Sequence, residues 1–532
     1  MSARIIRGDK SGSKLDKRGL GEFYFDSAHK HGDKICQLDA ATGREESYRS
    51  VKERSTRVAI HLRNLGLKSE DVVLCCLKNT LDNIIPILSA LYLGAKVASL
   101  DTSQSVKDCA HCISIVRAKY VFVEDQSLKL IEDSLIEAKL NSTIIVVGES
   151  VKYRTLQELL EFTPEENKFR PVTVKNCHET AFIYFSSGTS GLPKGICITH
   201  FGLLNSKKAV VNTGIFDPRV MLHFSSFYWI SAAALTTTAF IKGGCRILAS
   251  KFDAEEAFWI IQKYKVTTIF LAPIYTYYLM AVNNADKYDT SSLSRMIIGG
   301  SPLCENQLKK TRELFKHTFV SLMYGTTETH GCITAFDYTK NRHGTDKCGS
   351  SGKCVNDTEI KIVDIESREL LGPNQKGEIC VRSPYLSPGY YNDPTRIYDT
   401  DNFVKTGDIG YYDEDEYIYV VDRIKEMFKY KSWHVVPTSL EAVLQEHPCV
   451  KEAAVFGIPH DVDEFWPAAC VTLKDGSEIT AEEIDAFFTG RVAGWQKLRG
   501  GIKIVETLPK TPSGKLQRWK IKKMLLAVED YS

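Results

Sequence analysis

An apolar run of strand-forming residues, Ala181-Phe-Ile-Tyr-Phe185, passes directly into Ser186-Ser-Gly-Thr-Ser-Gly-Leu-Pro-Lys-Gly195. A buried strand that breaks at once into small hydroxyl residues, glycines and a single lysine leaves few folds open. Gly188 and Gly191 let the backbone come close to a phosphate, and Ser186, Ser187, Thr189 and Ser190 can donate to its oxygens. Lys194 supplies positive charge. The closing order, Pro193-Lys194-Gly195, differs from the Gly-Lys-Ser/Thr of the Walker A loop, so this is a phosphate grip of another kind. A mobile Ser/Gly linker is the competing reading, and such linkers rarely follow an apolar strand without a break.

Around this stretch, helical and strand patterns alternate. The spacing predicts strands at 72–77, 95–100, 120–123 and 143–147, with a helix over 82–93. Asp253 with Glu256 marks a helix start, and Ala257, Ile260, Ile261 and Tyr264 give it one apolar face. Strands at 266–271, 296–298 and 319–324 follow, running into Pro273, Gly299-Gly300 and Gly325. Such alternation predicts an α/β fold with largely parallel sheets, whose ligands collect outside the carboxyl ends of the strands. Glycine-bearing turns at 186, 299 and 325 could therefore surround one nucleotide. Beyond residue 350 the texture is β-rich, and from about 422 it becomes a charged α+β unit with capping boxes at Thr438/Glu441 and Thr480/Glu483. The expected organisation is a flexible lead-in (1–20), a large N-terminal domain of βαβ subdomains (21–422, with a β-rich subdomain at about 350–420) and a small mobile α+β C-terminal domain (423–532).

A chain of 532 residues is too long for one core, at roughly 150 residues per domain. Its net charge of +2 creates no field that would favour nucleic acid. Fifteen cysteines without a repeating pattern suit reduced thiols, and Cys109-Ala-His-Cys112 lacks a second pair at zinc spacing. Residues 84–93 are too short to span a bilayer and contain Pro86, and 224–241 carry too many hydroxyls; both read as buried helices. No signal peptide is visible, and the chain ends Asp530-Tyr531-Ser532 rather than Ser-Lys-Leu, so a cytoplasmic location is expected. His29 and His31, flanking Lys30, read as solvent-facing.

Three further motifs follow the phosphate loop in order: Tyr324-Gly-Thr-Thr-Glu328, Thr406-Gly-Asp408 with Asp422-Arg423-Ile-Lys425, and Pro512-Ser-Gly-Lys515. Together with the loop they resemble the signatures of the adenylate-forming superfamily of acyl-CoA synthetases, peptide-synthetase adenylation domains and insect luciferases. The chain looks most like the insect branch, luciferases (those of dipteran glow-worms included) and their fatty acyl-CoA synthetase relatives, from about residue 20 to 525. The resemblance implies ATP and Mg²⁺ as cofactors and a small hydrophobic or aromatic carboxylic acid, such as a luciferin or a fatty acid, as partner. It implies that the loop from Ser186 to Lys194 holds the β- and γ-phosphates, Tyr324 packs on adenine and Thr327 meets the α-phosphate. Glu328 would help hold Mg²⁺, for which carboxylate oxygen is a suitable ligand. Asp408 would accept the ribose hydroxyls, Arg423 would contact ribose or phosphate, Lys425 would act as the hinge, and Lys515 would sit at the forming acyl-phosphate bond.

A second pose of the small domain would bring Lys429 of Lys429-Tyr-Lys-Ser-Trp433 to the site for the second half-reaction. Two departures stand out. Ser432 replaces a glycine of relatives, which would narrow a pantetheine route. Relatives usually place a histidine where this chain has Phe227-Tyr228-Trp229; with Gly299 and Gly300 these residues suggest an apolar or aromatic acid pocket. The implied chemistry is formation of acyl-AMP and pyrophosphate, then either thioester formation with CoA or O₂-dependent oxidation with light. A catalytically idle acid or nucleotide binder is the third reading, and Lys194, Glu328, Asp408, Arg423 and Lys515 together argue against it.

Overall fold

A computed structural model describes residues 3–12, 14–185, 193–301, 303, 305–340, 347–431, 433–510 and 516–526. Val72–Cys76 is buried throughout and pairs in parallel with Lys96–Ser99 and Tyr120–Glu124, the latter with Thr143–Val147. These strands are continuously apolar because both faces are covered. Val73, Cys75, Val97, Phe122 and Ile145 pack in one core with helix Ile84–Tyr92, whereas Leu74, Ala98, Val121 and Val123 pack with Cys109, Ile113, Ile131 and Leu135 on the other side. Pro86 lies in the first turn of its helix, where a missing N–H costs little. The second apolar run divides at Trp229: only Ile230–Lys242 is helical, and Thr237 and Thr238 donate to the carbonyls of Ala233 and Ala234. Among the described residues no helix is long and apolar enough to cross a membrane.

A second sheet carries Thr268–Leu271, Arg295–Gly299 and Phe319–Thr326 in parallel, beside Val220–His223, Cys245–Leu248 and Ile35–Asp39. Two details depart from expectation. Pro273 opens the helix Pro273–Met280. Gly325 is not in a turn but inside the strand, which reverses at His330 and Gly331 (φ 57° and 97°) and returns antiparallel as Gly331–Ala335. A Cβ on Gly325 would stand 1.9 Å from the Gly331 carbonyl oxygen, so glycine is required there by the approach of the returning strand.

Described residues of the lead-in pack against the large domain. Ile6–Arg7 adds a strand to Glu359–Val363, Ile6 is buried, and Asp16 takes ion pairs from Arg18 (2.7 Å) and Lys208 (2.8 Å). His31 is half-buried rather than fully solvent-facing: its Nε2 lies 3.0 Å from the Phe240 carbonyl oxygen and its ring packs against Tyr48. Glu359–Val363, Gly377–Arg382, Val404–Tyr412 and Ile418–Arg423 continue this antiparallel sheet, the β-rich part of the large domain.

The small C-terminal domain builds on the antiparallel pair Val450–His460 and Glu464–Leu473, covered by Pro437–Gln445 and Ala481–Thr489. Thr480 and Glu483 make the expected capping box. Thr438 does not: its helix starts at Pro437, and Thr438 Oγ1 bonds the Val421 carbonyl and Asp422. Glu441 instead points inward, accepting from Val455 N–H (2.8 Å) and from Arg518 through both oxygens (2.8 Å each). Burial pushes the Glu441 carboxyl pKa up even against the Arg518 charge. Removing one partner of such a buried pair strands the other, at about 3 kcal/mol. Arg518→Met should therefore lower the denaturant midpoint of the small domain, and the double change with Glu441→Met should recover most of the loss. An unchanged midpoint in the single variant would show that the pair contributes nothing.

Candidate active site

A cavity of about 980 Å³ opens between the two domains. It is lined by Gly299, Gly300, Tyr324, Thr327, Glu328, Asp408, Arg423 and Lys425 from one side, and by Glu441, Gln445, Lys510 and Arg518 from the other. Residues distant in the sequence thus face one space.

Asp408 and Arg423 are direct partners in the antiparallel register of their strands. Arg423 Nε donates to Asp408 Oδ1 at 3.1 Å, and Tyr324 Oη donates to Oδ2 at 2.7 Å. The strand holds this carboxylate firmly: Thr406 Oγ1 donates to the Ile379 carbonyl and accepts from Asp408 N–H, while Gly407, at φ 71°, donates its N–H to Glu378. Burial, with the Asp408 charge beside it, raises the Tyr324 phenol far above its usual pKa, so it remains a donor.

Thr327 and Glu328 lie in the tight turn before His330. The turn is fixed by Thr326 N–H donating to Thr329 Oγ1 (2.9 Å) and by Ser387 N–H donating to the Glu328 carbonyl (2.9 Å). Among the described residues no three His, Cys, Asp or Glu side chains cluster as a complete metal cage. One carboxylate on a cavity wall is nonetheless the donor set that suits Mg²⁺ arriving on substrate phosphates, since that ion keeps waters and needs only one or two protein carboxylates.

Tyr228 and Trp229 line the cavity with their rings edge to face at 4.8 Å. Phe216, Phe224, Leu235 and Phe270 extend this apolar wall. Phe227 does not belong to it: it is buried in the core with Ala232 and Phe240. Trp229 sits at the start of its helix, and its indole offers only a donor where a histidine would offer acid–base chemistry.

Other expected residues lie elsewhere. Lys194 is not on the cavity wall; it pairs with Asp393 at 3.0 Å, donates to Thr395 and lies 4.9 Å from the centre of the Tyr390 ring. The Thr395 and Lys194 contacts hold the Asp393 carboxyl at about 2. Lys429 pairs with Glu366 at 2.9 Å, on the outside of the β-rich sheet. Ser186, Ser187, Gly188, Thr189, Ser190 and Gly191, together with Ser432 and Lys515, fall outside the described residues.

Sequence reading missed Lys207, which lies on the cavity wall and is 3% exposed. Helical phase does not single it out, because ten of the twelve residues of His200–Val211 are buried, Lys207 among them.

The sequence matches the family model "AMP-binding enzyme" over residues 24–391 and "AMP-binding enzyme C-terminal domain" over 439–515. It is 31% identical over 506 residues to luciferin 4-monooxygenase of Nipponoluciola cruciata, covering 92% of this chain and 91% of that one. It is also 31% identical over 506 residues to 4-coumarate–CoA ligase 4 of Arabidopsis thaliana, covering 91% and 87%. Among solved structures, the luciferase-like enzyme of the nonluminescent mealworm Zophobas morio is 43% identical, with a TM-score of 0.77 over 80% of this chain and 100% of that one. The α/β large domain, the small C-terminal domain and these matches establish that the chain belongs to the AMP-binding, adenylate-forming enzyme family.

Proposed function

We propose that the protein uses ATP to convert a hydrophobic or aromatic carboxylic acid to acyl-AMP, releasing pyrophosphate. The observation that carries this reading is the convergence of Tyr324, Thr327, Glu328, Asp408 and Arg423 on a cavity that continues into an aromatic pocket. Asp408, already oriented by Tyr324 and Arg423, accepts the ribose hydroxyls; Tyr324 packs along adenine. Thr327 donates to the α-phosphate, where negative charge builds as the acid oxygen attacks phosphorus. Glu328 holds Mg²⁺, which neutralises phosphate charge when bound. Lys194 and the loop from Ser186 grip the outer phosphates, for which Lys194 exchanges Asp393 for substrate. Lys515 reaches the forming acyl-phosphate bond, and rotation about Lys425 afterwards exchanges it for Lys429.

The second half-reaction transfers the acyl group to CoA or oxidises the adenylate with O₂ and emits light. The curated relatives include enzymes named for each outcome, at equal identity. Both routes share AMP as leaving group, so the adenylation residues serve either. Purified protein with Mg-ATP and a panel of acids should release pyrophosphate, with thiol consumption and photon emission followed in parallel. CoA-dependent thiol loss without light selects the ligase; light without CoA selects the luciferase. Absence of pyrophosphate across apolar, aromatic and fatty acids would overturn the adenylation reading itself.

A further inference from the structure

We propose that Lys207 is a specificity-determining residue that selects acids carrying an oxygen anion, a phenolate or a second carboxylate, on the body of the molecule away from the carboxylate that reacts. This deepens the acid-activating reading of the same cavity and rests on it. Lys207 projects from the buried face of His200–Val211 onto the cavity wall. Around it, Val210, Phe216, Phe270, Met323 and Cys332 pack as one apolar group and line the same cavity. Among the described residues its ammonium donates one hydrogen bond, to the His330 carbonyl at 2.9 Å, and no carboxylate lies within ion-pair range. Two of its three N–H donors therefore remain for another partner.

A purely structural role accounts poorly for this arrangement. Tying a helix to one carbonyl needs only a neutral donor, whereas a buried cation needs a partner of opposite charge or it is costly. The chain also keeps the ammonium open. Gly331, at φ 97°, has no Cβ; one built there would stand 3.1 Å from Lys207 Nζ. The titratable groups acting on Lys207 bring no compensating charge. His330 accepts Thr199 N–H at Nε2, so its ring is not an imidazolium. Burial pushes the Cys332 thiol up to about 12, so it too is neutral. Burial lowers the Lys207 ammonium itself to about 8.

The test uses para-substituted cinnamic acids bearing hydrogen, methyl, hydroxyl or carboxylate, with full-length protein. Dissociation constants are measured without ATP, and kcat/KM is measured by pyrophosphate release with Mg-ATP. The wild type should favour the carboxylate- or hydroxyl-bearing acid over its methyl counterpart at least tenfold in both readouts, and the two polar acids separate a second carboxylate from a phenol. Lys207→Met, which keeps the volume and removes the charge, should bring that ratio to about one. The wild type supplies a check that needs no variant. The carboxylate-bearing acid does not itself titrate above neutrality, so its binding should weaken by up to about tenfold per pH unit above roughly 8, as the free ammonium loses its proton, while binding of the methyl acid stays level. A wild type indifferent to the substituent overturns the proposal, as does failure of the polar acids to bind. An equal loss for all four acids in Lys207→Met also overturns it, because Lys207 would then act on the carboxylate they share. Pyrophosphate release with the unsubstituted or methyl acid tests adenylation separately, so either reading can fail alone.

Discussion

Replacing Asp408 with alanine should lower kcat/KM for ATP-dependent pyrophosphate release by about 10²–10⁴. Asp408 is 5% exposed, and its two oxygens are held by Tyr324 Oη at 2.7 Å and Arg423 Nε at 3.1 Å. A carboxylate so placed faces a bound ribose in a fixed direction. Two charge-assisted bonds to the ribose hydroxyls are worth roughly 1.5–3 kcal/mol each. Their loss amounts to about two to four factors of ten at 1.36 kcal/mol per factor. Folding should suffer much less, because the Arg423 side chain is 42% exposed and water can solvate its freed charge. Asp408→Asn keeps an acceptor for Tyr324 and should lose activity to an intermediate degree. Calorimetric titration of ATP and the thermal midpoint would separate the two effects. Unimpaired ATP binding in Asp408→Ala would mean that the nucleotide lies elsewhere.

The fold was legible because its strongest signals are local. The continuous apolar strands 72–76 and 120–124 and the helix 84–92 came within a residue or two of their observed ends. What escaped the sequence depended on contacts across the chain. Ile6–Arg7 lies in a basic, polar lead-in whose composition suggests disorder, yet Glu359–Val363 offers it an edge to pair with. Thr438 and Glu441 have the spacing of a capping box, but the distant Arg518 draws Glu441 inward and the nearby Asp422 takes Thr438. Tyr324, Thr327, Glu328, Asp408 and Arg423 were named from short motifs resembling those of a family, and all five line one cavity. Phe227 was misplaced because neighbours on an irregular segment point in different directions, which no periodicity reveals. Lys207 was missed because a Lys-Lys pair reads as a solvated face, and the neighbouring Lys208 does reach outward to Asp16.

Gly325→Ala should cost activity far out of proportion to the single methyl that it adds. The added methyl would stand 1.9 Å from the Gly331 oxygen, 2.4 Å from its carbonyl carbon and 2.9 Å from Cys332 Cα. All three are backbone atoms, so no side-chain rotation relieves the clash. The strands Phe319–Thr326 and Gly331–Ala335 would have to separate, breaking the pairing of Gly325 with Cys332 and of Thr326 with Gly331. Overpacking of this kind costs about 1–3 kcal/mol, and more where backbone must move. The chemistry suffers as well, because the displaced residue lies between Tyr324 and the Thr327–Glu328 turn, and a shift of about 1 Å at a reacting centre costs roughly 10²-fold. Pyrophosphate release should therefore fall at least about 100-fold, and the urea midpoint should fall with it by the equivalent of about 3 kcal/mol or more. Gly494→Ala is the matched control: its added methyl would meet no heavy atom within 4 Å, and both readouts should stay at wild-type values. If Gly325→Ala behaves like that control, the two strands do not approach as closely as the register of Gly325 and Cys332 requires, and the turn carrying Thr327 and Glu328 is positioned by something else.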